Sequence, residues 1–203
     1  MPVATSREAY LQTGLDILSD LGYGGLKLAE VCRRLGVTSG AFYHYYPNWT
    51  AYRRDLVDHW RDVYSTRRID AIRDEPSARR RVERILTVGV TLPHEAEAAV
   101  RAWAGADDHV RAVVAAVDSE RHQLLSRCIQ DLLADDGQAT LLAKWAMYVL
   151  IGYAQATLPA SVEELTAFFY TMLDAFDDGR LAAVFSSRGS ADPDAAGSGG
   201  APS

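Results

Sequence analysis

Apolar residues recur every three or four positions along most of the chain. This spacing places side chains on one face of an α-helix, as Leu11, Leu15 and Leu18 illustrate near the beginning. No segment has the alternation of apolar and polar residues between turn residues that is typical of a half-buried β-strand. The pattern therefore predicts an all-α fold.

Capping residues and helix breakers divide this pattern into nine predicted helices. Gly22 and Gly36 are expected to end the first two helices, and Pro47 to end the third. Ser161 begins an S-x-x-E capping box that opens the last one. The predicted helices span about residues 6–21, 27–35, 39–45, 47–73, 78–90, 93–105, 108–133, 138–156 and 161–177.

The composition is that of a protein that folds around an apolar core. Of the 203 residues, 48% are apolar, and two cysteines are too few for a disulfide scaffold. No apolar run approaches the length of about 18 residues that a membrane span needs, and the N-terminus has no apolar stretch of a signal peptide. A cytoplasmic protein with no membrane partner is therefore expected.

Charge is unevenly distributed along the chain, whose net charge is -6. Residues 1–84 contain 14 Lys and Arg against 11 Asp and Glu, whereas residues 85–203 contain 7 against 16. A mildly basic first part and an acidic remainder suggest two separate functions. Residues 186–203 lack apolar bulk, so a disordered tail is predicted there.

The segment from residue 28 to residue 46 has the layout of a helix-turn-helix. A small residue, Cys32, precedes the turn at Gly36, and Thr38 follows as a cap for a short third helix. Gly40 and Ala41 keep the beginning of that helix narrow, which would allow it to enter a major groove. An ordinary helical hairpin is the alternative interpretation.

Five consecutive aromatic or imidazole side chains at residues 42–46 favour the helix-turn-helix. Phe42 and Tyr46 lie four residues apart and are expected to face the core together. Tyr43 and His44 then point largely outward. Exposed Tyr and His side chains on so short a helix are unusual unless they meet a partner.

The stretch from Tyr10 to Trp60 resembles the N-terminal domain of TetR-family transcriptional regulators. The resemblance rests on Gly-Tyr at 22–23, on Leu-Gly-Val-Thr at 35–38, and on Gly-Ala-Phe-Tyr-His-Tyr-Tyr at 40–46 followed by Asn48. It implies a nine-helix, TetR-like architecture in three parts. These are a helix-turn-helix domain at 1–46, a ligand-binding and dimerisation domain at 47–185 with 47–73 as its connector helix, and a tail at 186–203.

In that family the third helix reads the operator and its aromatic residues also touch phosphates, so the resemblance implies a set of DNA contacts. It places three residues of the third helix against bases and the others against bases or the DNA backbone. The implied DNA-binding residues are Lys27, Thr38, Ser39, Gly40, Ala41, Tyr43, His44 and Tyr45.

Two positions depart from the family pattern. The family usually has a lysine at the beginning of the fourth helix, where this chain has Trp49. It usually has a capping Thr or Ser before the second helix, where this chain has Leu26. The charge that the phosphate contacts need is then expected from arginines near these positions, which are Arg33, Arg34, Arg53 and Arg54.

The resemblance also implies a homodimeric repressor of a double-stranded DNA operator, released by a small, mostly apolar effector. The expected pocket lies between the fourth and eighth helices, with Trp103, His122, Leu125, Tyr148 and Gly152 as lining candidates. The last two helices carry more apolar residues than one core-facing stripe needs, which predicts a dimer interface. The candidates for that interface are Trp145, Val149, Tyr153, Phe168, Phe169 and Met172.

Enzymatic and metal-binding functions find no support in the sequence. The five histidines and two cysteines form no cluster at metal-ligand spacing, and no nucleophile elbow, P-loop or dinucleotide fingerprint is present. No cofactor and no metal are therefore expected. Two alternatives stay open, namely a helical ligand-binding or protein-interaction module whose DNA domain has drifted, and an activator of the same fold.

Overall fold

The computed structural model of the chain describes residues 6–133 and 135–178, and every regular element among them is helical. The predictions of an all-α fold and of nine helices are confirmed for this part of the chain. The helices are α1 Arg7–Gly25, α2 Leu28–Leu35, α3 Ser39–Tyr45, α4 Trp49–Arg61 continuing through Asp62–Thr66 and Arg67–Arg73, α5 Ala78–Val90, α6 His94–Ala104, α7 Asp108–Gln130, α8 Asp136–Gln155 and α9 Val162–Asp177.

Helix ends agree with the sequence to within a few residues because their signals are local. Thr38 and Asn48 each accept a hydrogen bond from the backbone N–H three residues on, which fixes the beginning of α3 and α4. Gly22 leaves the helical conformation at φ +65°, as expected, but α1 resumes after it. The predicted α7 is too long, because the N–H groups of Leu132 and Leu133 both turn back to the carbonyl of Ile129.

The fourth helix widens in its middle. The segment Asp62–Thr66 is π-helical, and the flanking residues Arg61 and Arg67 keep helical backbone angles. The chain therefore runs as one helix from Trp49 to Arg73 without a break. The sequence pattern did not predict this widening, which is common at functional sites.

The described residues from 6 to 162 form one compact unit, whose core continues from the helix-turn-helix into the later helices. In it, α1 packs against α2, α4 and α6, and α4 packs against α7. Fully buried members of the core include Tyr10 on α1, Val31 on α2, Trp60 on α4 and Trp103 on α6. The first three helices are thus held by the same apolar cluster as the helices behind them. The predicted boundary at residue 46 stays a prediction.

The second unit begins at Glu163 and contains α9. Leu165, Phe169 and Leu173 recur at four-residue spacing on one face of this helix, as a helical stripe requires. Phe168 is 41% exposed and its ring centroid lies 5.4 Å from that of Phe169. The predicted tail at 186–203 lies outside the described residues.

Candidate nucleic-acid interface and effector cavity

The turn between α2 and α3 has the geometry of a helix-turn-helix. Gly36 adopts a left-handed conformation at φ +67°, ψ 31°, which favours glycine because a side chain would be strained there. The Val37 N–H donates to the carbonyl of Cys32 at 3.0 Å, which closes α2. Thr38 Oγ1 then accepts from the N–H of Ala41 at 3.3 Å and begins α3 within two residues.

The α3 helix has one buried and one exposed face. Phe42 and Tyr46 are fully buried, and their rings pack with Tyr10 and Tyr52. Tyr43 is 51% exposed, and the residues that share its outer face are also exposed. The exposed group consists of Thr38, Ser39, Gly40, Tyr43 and His44.

Two of the candidate DNA-binding residues are less accessible than the others. Ala41 is half-buried, and Tyr45 is half-buried with its ring centroid 5.2 Å from that of Tyr10. Tyr45 therefore shares its side chain between the core and the surface. Gly40, by contrast, faces open space, since an added Cβ would meet only Thr38 Oγ1, at 3.7 Å.

Both departures from the family pattern have structural explanations. Leu26 is buried in the core, which accounts for an apolar residue there. Lys27 is the exposed N-cap residue of α2 and makes no side-chain cap hydrogen bond. Trp49 stacks on Tyr52 with centroids 4.8 Å apart and packs near Phe42, so it is part of the aromatic cluster beneath α3.

Most of the arginines expected to supply charge already have partners. Arg33 and Arg34 both donate to Glu30, at 2.7 and 2.9 Å, and these hydrogen bonds lower the pKa of that carboxyl to about 2. Arg34 also pairs with Asp20 at 2.7 Å. Arg54 is exposed and forms no ion pair with any residue that the structure describes.

A cluster of polar and aromatic side chains joins α1, α4 and the α6–α7 turn. Arg53 on α4 pairs with Asp107 at 2.9 Å, and Asp107 caps α7 by accepting from the N–H groups of His109 and Val110. The Arg53 guanidinium lies 5.7 Å from the ring centroid of Trp103. Tyr23 stacks on that ring at 5.4 Å, with the planes 8° apart. We call Tyr23, Arg53, Trp103 and Asp107 the junction cluster.

A cavity of about 60 Å³ lies among α4, α5, α6, α7 and α8, where the effector pocket was expected. Its wall is mostly aliphatic. The aliphatic lining residues are Ile69, Ile72, Ile85, Leu86, Val88, Leu92, Leu124, Leu125, Met147, Leu150 and Ile151.

Two ion pairs stand at the edge of this cavity. Both terminal nitrogens of Arg121 donate to the buried carboxylate of Glu97 at 3.0 Å. Arg121 also donates to the carbonyl of Tyr64 at 2.9 Å. Arg101 makes a second two-pronged pair with Asp118, at 2.8 and 2.6 Å. These carboxylates compensate both arginines, which allows the charges to remain beside an apolar space.

Two further polar groups line the cavity from α4. Ser65 is 1% exposed, and its hydroxyl has no hydrogen-bond partner within the described residues. Arg68 lies one turn later, with its guanidinium 5.5 Å from the ring centroid of Tyr64. It forms no ion pair with any carboxylate in 6–133 or 135–178.

Comparison with known proteins identifies the N-terminal part of the chain. Residues 11–51 match the family described as bacterial regulatory proteins of the tetR family. The segment that contains the helix-turn-helix is therefore similar to the DNA-binding domain of that family. A comparison of the sequence with curated proteins found no match.

Solved structures show that the TetR-like fold extends beyond the matched domain. A transcriptional regulator from Saccharomonospora viridis, in complex with choline, has a TM-score of 0.71 at 14% identity, covering 83% of this chain and 95% of its own. A TetR-family regulator from a Rhodococcus species has a TM-score of 0.64 at 18% identity, covering 83% and 97%. AibR, in complex with isovaleryl coenzyme A and operator DNA, has a TM-score of 0.64 at 14% identity, covering 82% and 96%.

Only Leu125 among the five predicted pocket residues lines the cavity. The expectation that Trp103 and Tyr148 are partly buried beside this cavity is not met, although Trp103 borders a separate concavity of about 70 Å³ together with Arg53 and Asp107. Trp103 is fully buried in the junction cluster, and Tyr148 is 61% exposed. His122 lies with its Nε2 3.3 Å from the carbonyl of Thr140, and Gly152 is exposed.

The sequence analysis missed the polar residues that do line the cavity. Ser65, Arg68, Glu97, Arg101 and Arg121 are spread over three helices, and no motif connects them. The one available signal was Arg68 immediately before the apolar positions Ile69 and Ile72, which places a charge beside a buried stripe.

The predicted dimer residues differ in exposure. On α8, Trp145 and Tyr148 are exposed three residues apart, whereas Val149 and Tyr153 are half-buried. The Tyr153 ring packs edge-on against His94, 4.7 Å between centroids. On α9, Phe168 is exposed, Met172 is half-buried and Phe169 is buried. The exposed aromatic residues are the ones with surface to offer a partner.

The described residues also show how other types of site fare. No group of His, Cys, Asp and Glu there is arranged to hold a metal ion. Cys32 and Cys128 are buried free thiols, and burial raises the pKa of each. None of the described helices is long and apolar enough to cross a membrane.

Proposed function

We propose that this TetR-family regulator is a homodimeric repressor that binds a palindromic operator in the cytoplasm and is released by a small, mostly apolar effector. The observation that carries this proposal is the two-faced α3 helix. Its buried Phe42 and Tyr46 fix the orientation of an outer face that carries Ser39, Tyr43 and His44. A rigid helix with hydroxyl and imidazole groups outward is suited to a major groove.

Each DNA candidate has a proposed role that fits its position. Ser39, Gly40 and Ala41 at the narrow beginning of α3 would lie against base edges. Tyr43 and His44 would reach bases or phosphates. Thr38, Tyr45 and Lys27 would hold phosphates, and the uncapped N–H groups at the beginning of α2 would bind the same phosphate as Lys27.

The fourth helix connects the cavity with the DNA-binding helices. Ser65 and Ile69 on α4 line the cavity, while Tyr52 on the same helix donates a hydrogen bond to the carbonyl of Tyr10 at 2.9 Å. An effector that displaces the cavity end of α4 would therefore move α1 and, through it, α3. Effector and operator then oppose each other reciprocally, because the coupling free energy is shared by both sites.

Relatives of this fold support both halves of the proposal. AibR was solved with operator DNA and isovaleryl coenzyme A together, and the S. viridis regulator with choline. Exposed Trp145, Tyr148 and Phe168 support the proposed dimer, since large apolar side chains are normally covered in a partner interface. A two-fold dimer would present two α3 helices about 34 Å apart, one turn of DNA.

The test is binding of the purified chain to labelled DNA from upstream of its own gene, titrated with salt. A repressor with this interface binds one site as a dimer, and log affinity falls linearly with log salt. A thermal-shift screen then identifies stabilising small molecules, which should reduce DNA binding. Tight binding of a small molecule by a chain without sequence-specific DNA affinity would support the drifted-domain alternative. Effector-induced DNA binding would indicate an activator.

A further inference from the structure

Three arginines line the cavity, and within residues 6–133 and 135–178 one of them, Arg68, has no carboxylate partner. Arg121 is compensated by Glu97 and Arg101 by Asp118, both with two-pronged geometry. Arg68 contacts only the face of Tyr64 among the described residues. Together these five charged groups leave one positive charge at the cavity, and that charge is carried by Arg68.

A second polar group next to Arg68 is also without a partner. Ser65 is 1% exposed and lines the same cavity, and its Oγ is a buried donor and acceptor with no described hydrogen-bond partner. Such a group costs about 1–3 kcal/mol relative to a paired one, so a ligand atom that pairs with it gains affinity. Residues three apart on a helix are neighbours on its surface.

We propose that the effector is a short-chain aliphatic monocarboxylate, bound by the Arg68 guanidinium and the Ser65 hydroxyl. One carboxylate oxygen accepts from Arg68 and the other accepts from Ser65 Oγ. The alkyl chain occupies the aliphatic part of the cavity near Leu86, Leu125 and Met147. This assignment rests on the proposed function, because it takes the cavity to be the effector site.

Charge and volume together select this class of ligand. A cation would face the uncompensated Arg68, and a phosphate ester would bring more negative charge than one arginine balances. The cavity measures about 60 Å³. One water molecule needs about 10–15 Å³ by the same measure, so the cavity holds roughly four to six non-hydrogen atoms. An alkyl chain of about that number of carbons fills it, with the carboxylate between Arg68 and Ser65.

The experiment is calorimetric titration of the full chain with hexanoate and with hexanamide, which has the same shape without the charge. Hexanoate should bind at least about 10-fold more tightly, as expected for a hydrogen-bonded charge pair. Arg68→Gln should reduce hexanoate affinity about 10- to 100-fold and leave hexanamide affinity unchanged. Ser65→Ala should reduce hexanoate affinity about 5-fold.

Arg73→Gln is the matched control, because Arg73 lies on the same helix, pairs with Asp70 and is outside the cavity lining. It should bind hexanoate as the wild type does. Equal affinity for hexanoate and hexanamide, or a hexanoate affinity within twofold of wild type in R68Q, would overturn the proposal. The same is true if no carboxylate binds at about 1 mM.

Different results would contradict the repressor function and the carboxylate assignment. If a cationic or neutral molecule from the screen releases DNA and hexanoate does not, effector control stands and the carboxylate assignment is wrong. If hexanoate binds through Arg68 but the chain binds no operator, the site is right and the repressor function is wrong. Circular dichroism melts of each variant separate lost binding from lost folding.

Discussion

Tyr43 on α3 is 51% exposed, whereas the preceding residue, Phe42, is fully buried. This contrast gives a clean test of the DNA interface, since removing the exposed ring leaves the core intact. Tyr43→Ala should weaken operator binding by about 1–3 kcal/mol, measured by fluorescence anisotropy. The midpoint of thermal unfolding should stay nearly unchanged, because exposed substitutions usually alter stability by less than about 0.5 kcal/mol.

Tyr43→Phe is the control that separates ring from hydroxyl. Binding that matches wild type would assign the contact to the ring, and binding that matches Tyr43→Ala would assign it to the hydroxyl. Full operator affinity in Tyr43→Ala would remove Tyr43 from the interface.

Gly40 allows stability and DNA binding to be separated in one variant. Alanine fits there, because its Cβ would meet only Thr38 Oγ1 at an ordinary contact distance, and it favours a helix over glycine by about 0.5–1 kcal/mol. Gly40→Ala should therefore unfold at slightly higher temperature. It should also bind the operator more weakly, since the new methyl group would stand between the helix and the bases. A variant that gains stability with undiminished DNA affinity would show that α3 does not approach DNA at Gly40.

His59 should make stability depend on pH. Burial lowers its pKa, and nearby Arg67 lowers it further against smaller opposite effects of Asp62 and Glu8. Below its ordinary value of about 6.5, the unfolded chain therefore binds this proton more readily than the folded protein. The free energy of unfolding should fall as pH falls below about 6.5, and His59→Gln should reduce this dependence. Urea unfolding at about pH 7.5 and about pH 5.5 measures the free energy of unfolding at each pH. If this free energy changes equally between the two pH values in the wild type and in His59→Gln, His59 is not the cause.

Among the helices, Gly14 allows α1 and α4 to pack closely together. A Cβ at this position would lie 2.3 Å from Tyr52 Oη and 2.8 Å from Leu56 Cδ1, both buried. Gly14→Ala should therefore lower the free energy of unfolding by about 1–3 kcal/mol, in spite of the better helix propensity of alanine. Chemical denaturation measures the change. Gly24→Ala is the control, because nothing lies within 4 Å of its added Cβ and little change is expected there.

The success of the helix boundaries and the failure at the π-helical segment have one explanation. Caps such as Thr38, Asn48 and Asp107 act on N–H groups two or three residues away, so the sequence itself carries the information. The π-helical segment Asp62–Thr66 contains no glycine or proline that would indicate an irregular helix in the sequence. It depends on how α4 packs against other helices, and such packing does not appear in a periodic pattern.

Across the whole molecule, the junction cluster is a polar connection between α4 and the α6–α7 turn, additional to the hydrogen bond from Arg121 to the carbonyl of Tyr64. Asp107→Asn should remove the ion pair with Arg53 while keeping the cap of α7, because asparagine is an equally good N-cap residue. The effector should then reduce operator affinity less than in the wild type, by about 0.5–2 kcal/mol of coupling free energy. Anisotropy titrations with and without effector give this quantity. An unchanged coupling free energy would show that the Arg53–Asp107 ion pair does not couple effector binding to operator binding.

A cavity does lie between the fourth and eighth helices, but four of the five residues expected to line it do not. Trp103 and Tyr148 were chosen because they are large and aromatic, yet size does not determine which side of a helix they occupy. One is buried against Tyr23 and the other faces outward. Ser65, Arg68 and Glu97 line one cavity only because the fold brings α4 and α6 together, and the sequence alone does not show which residues are brought together.

The near-parallel stack of Tyr23 on Trp103 also has an optical consequence. Two aromatic chromophores 5.4 Å apart and fixed in a chiral, buried environment couple their transitions, and the Arg53 cation lies against the same indole. The near-ultraviolet circular dichroism of this protein should therefore carry a band from that pair, distinguishable by its loss in Tyr23→Leu. Such a band would make the contact between the first helix and the helices behind it visible in solution without any attached dye.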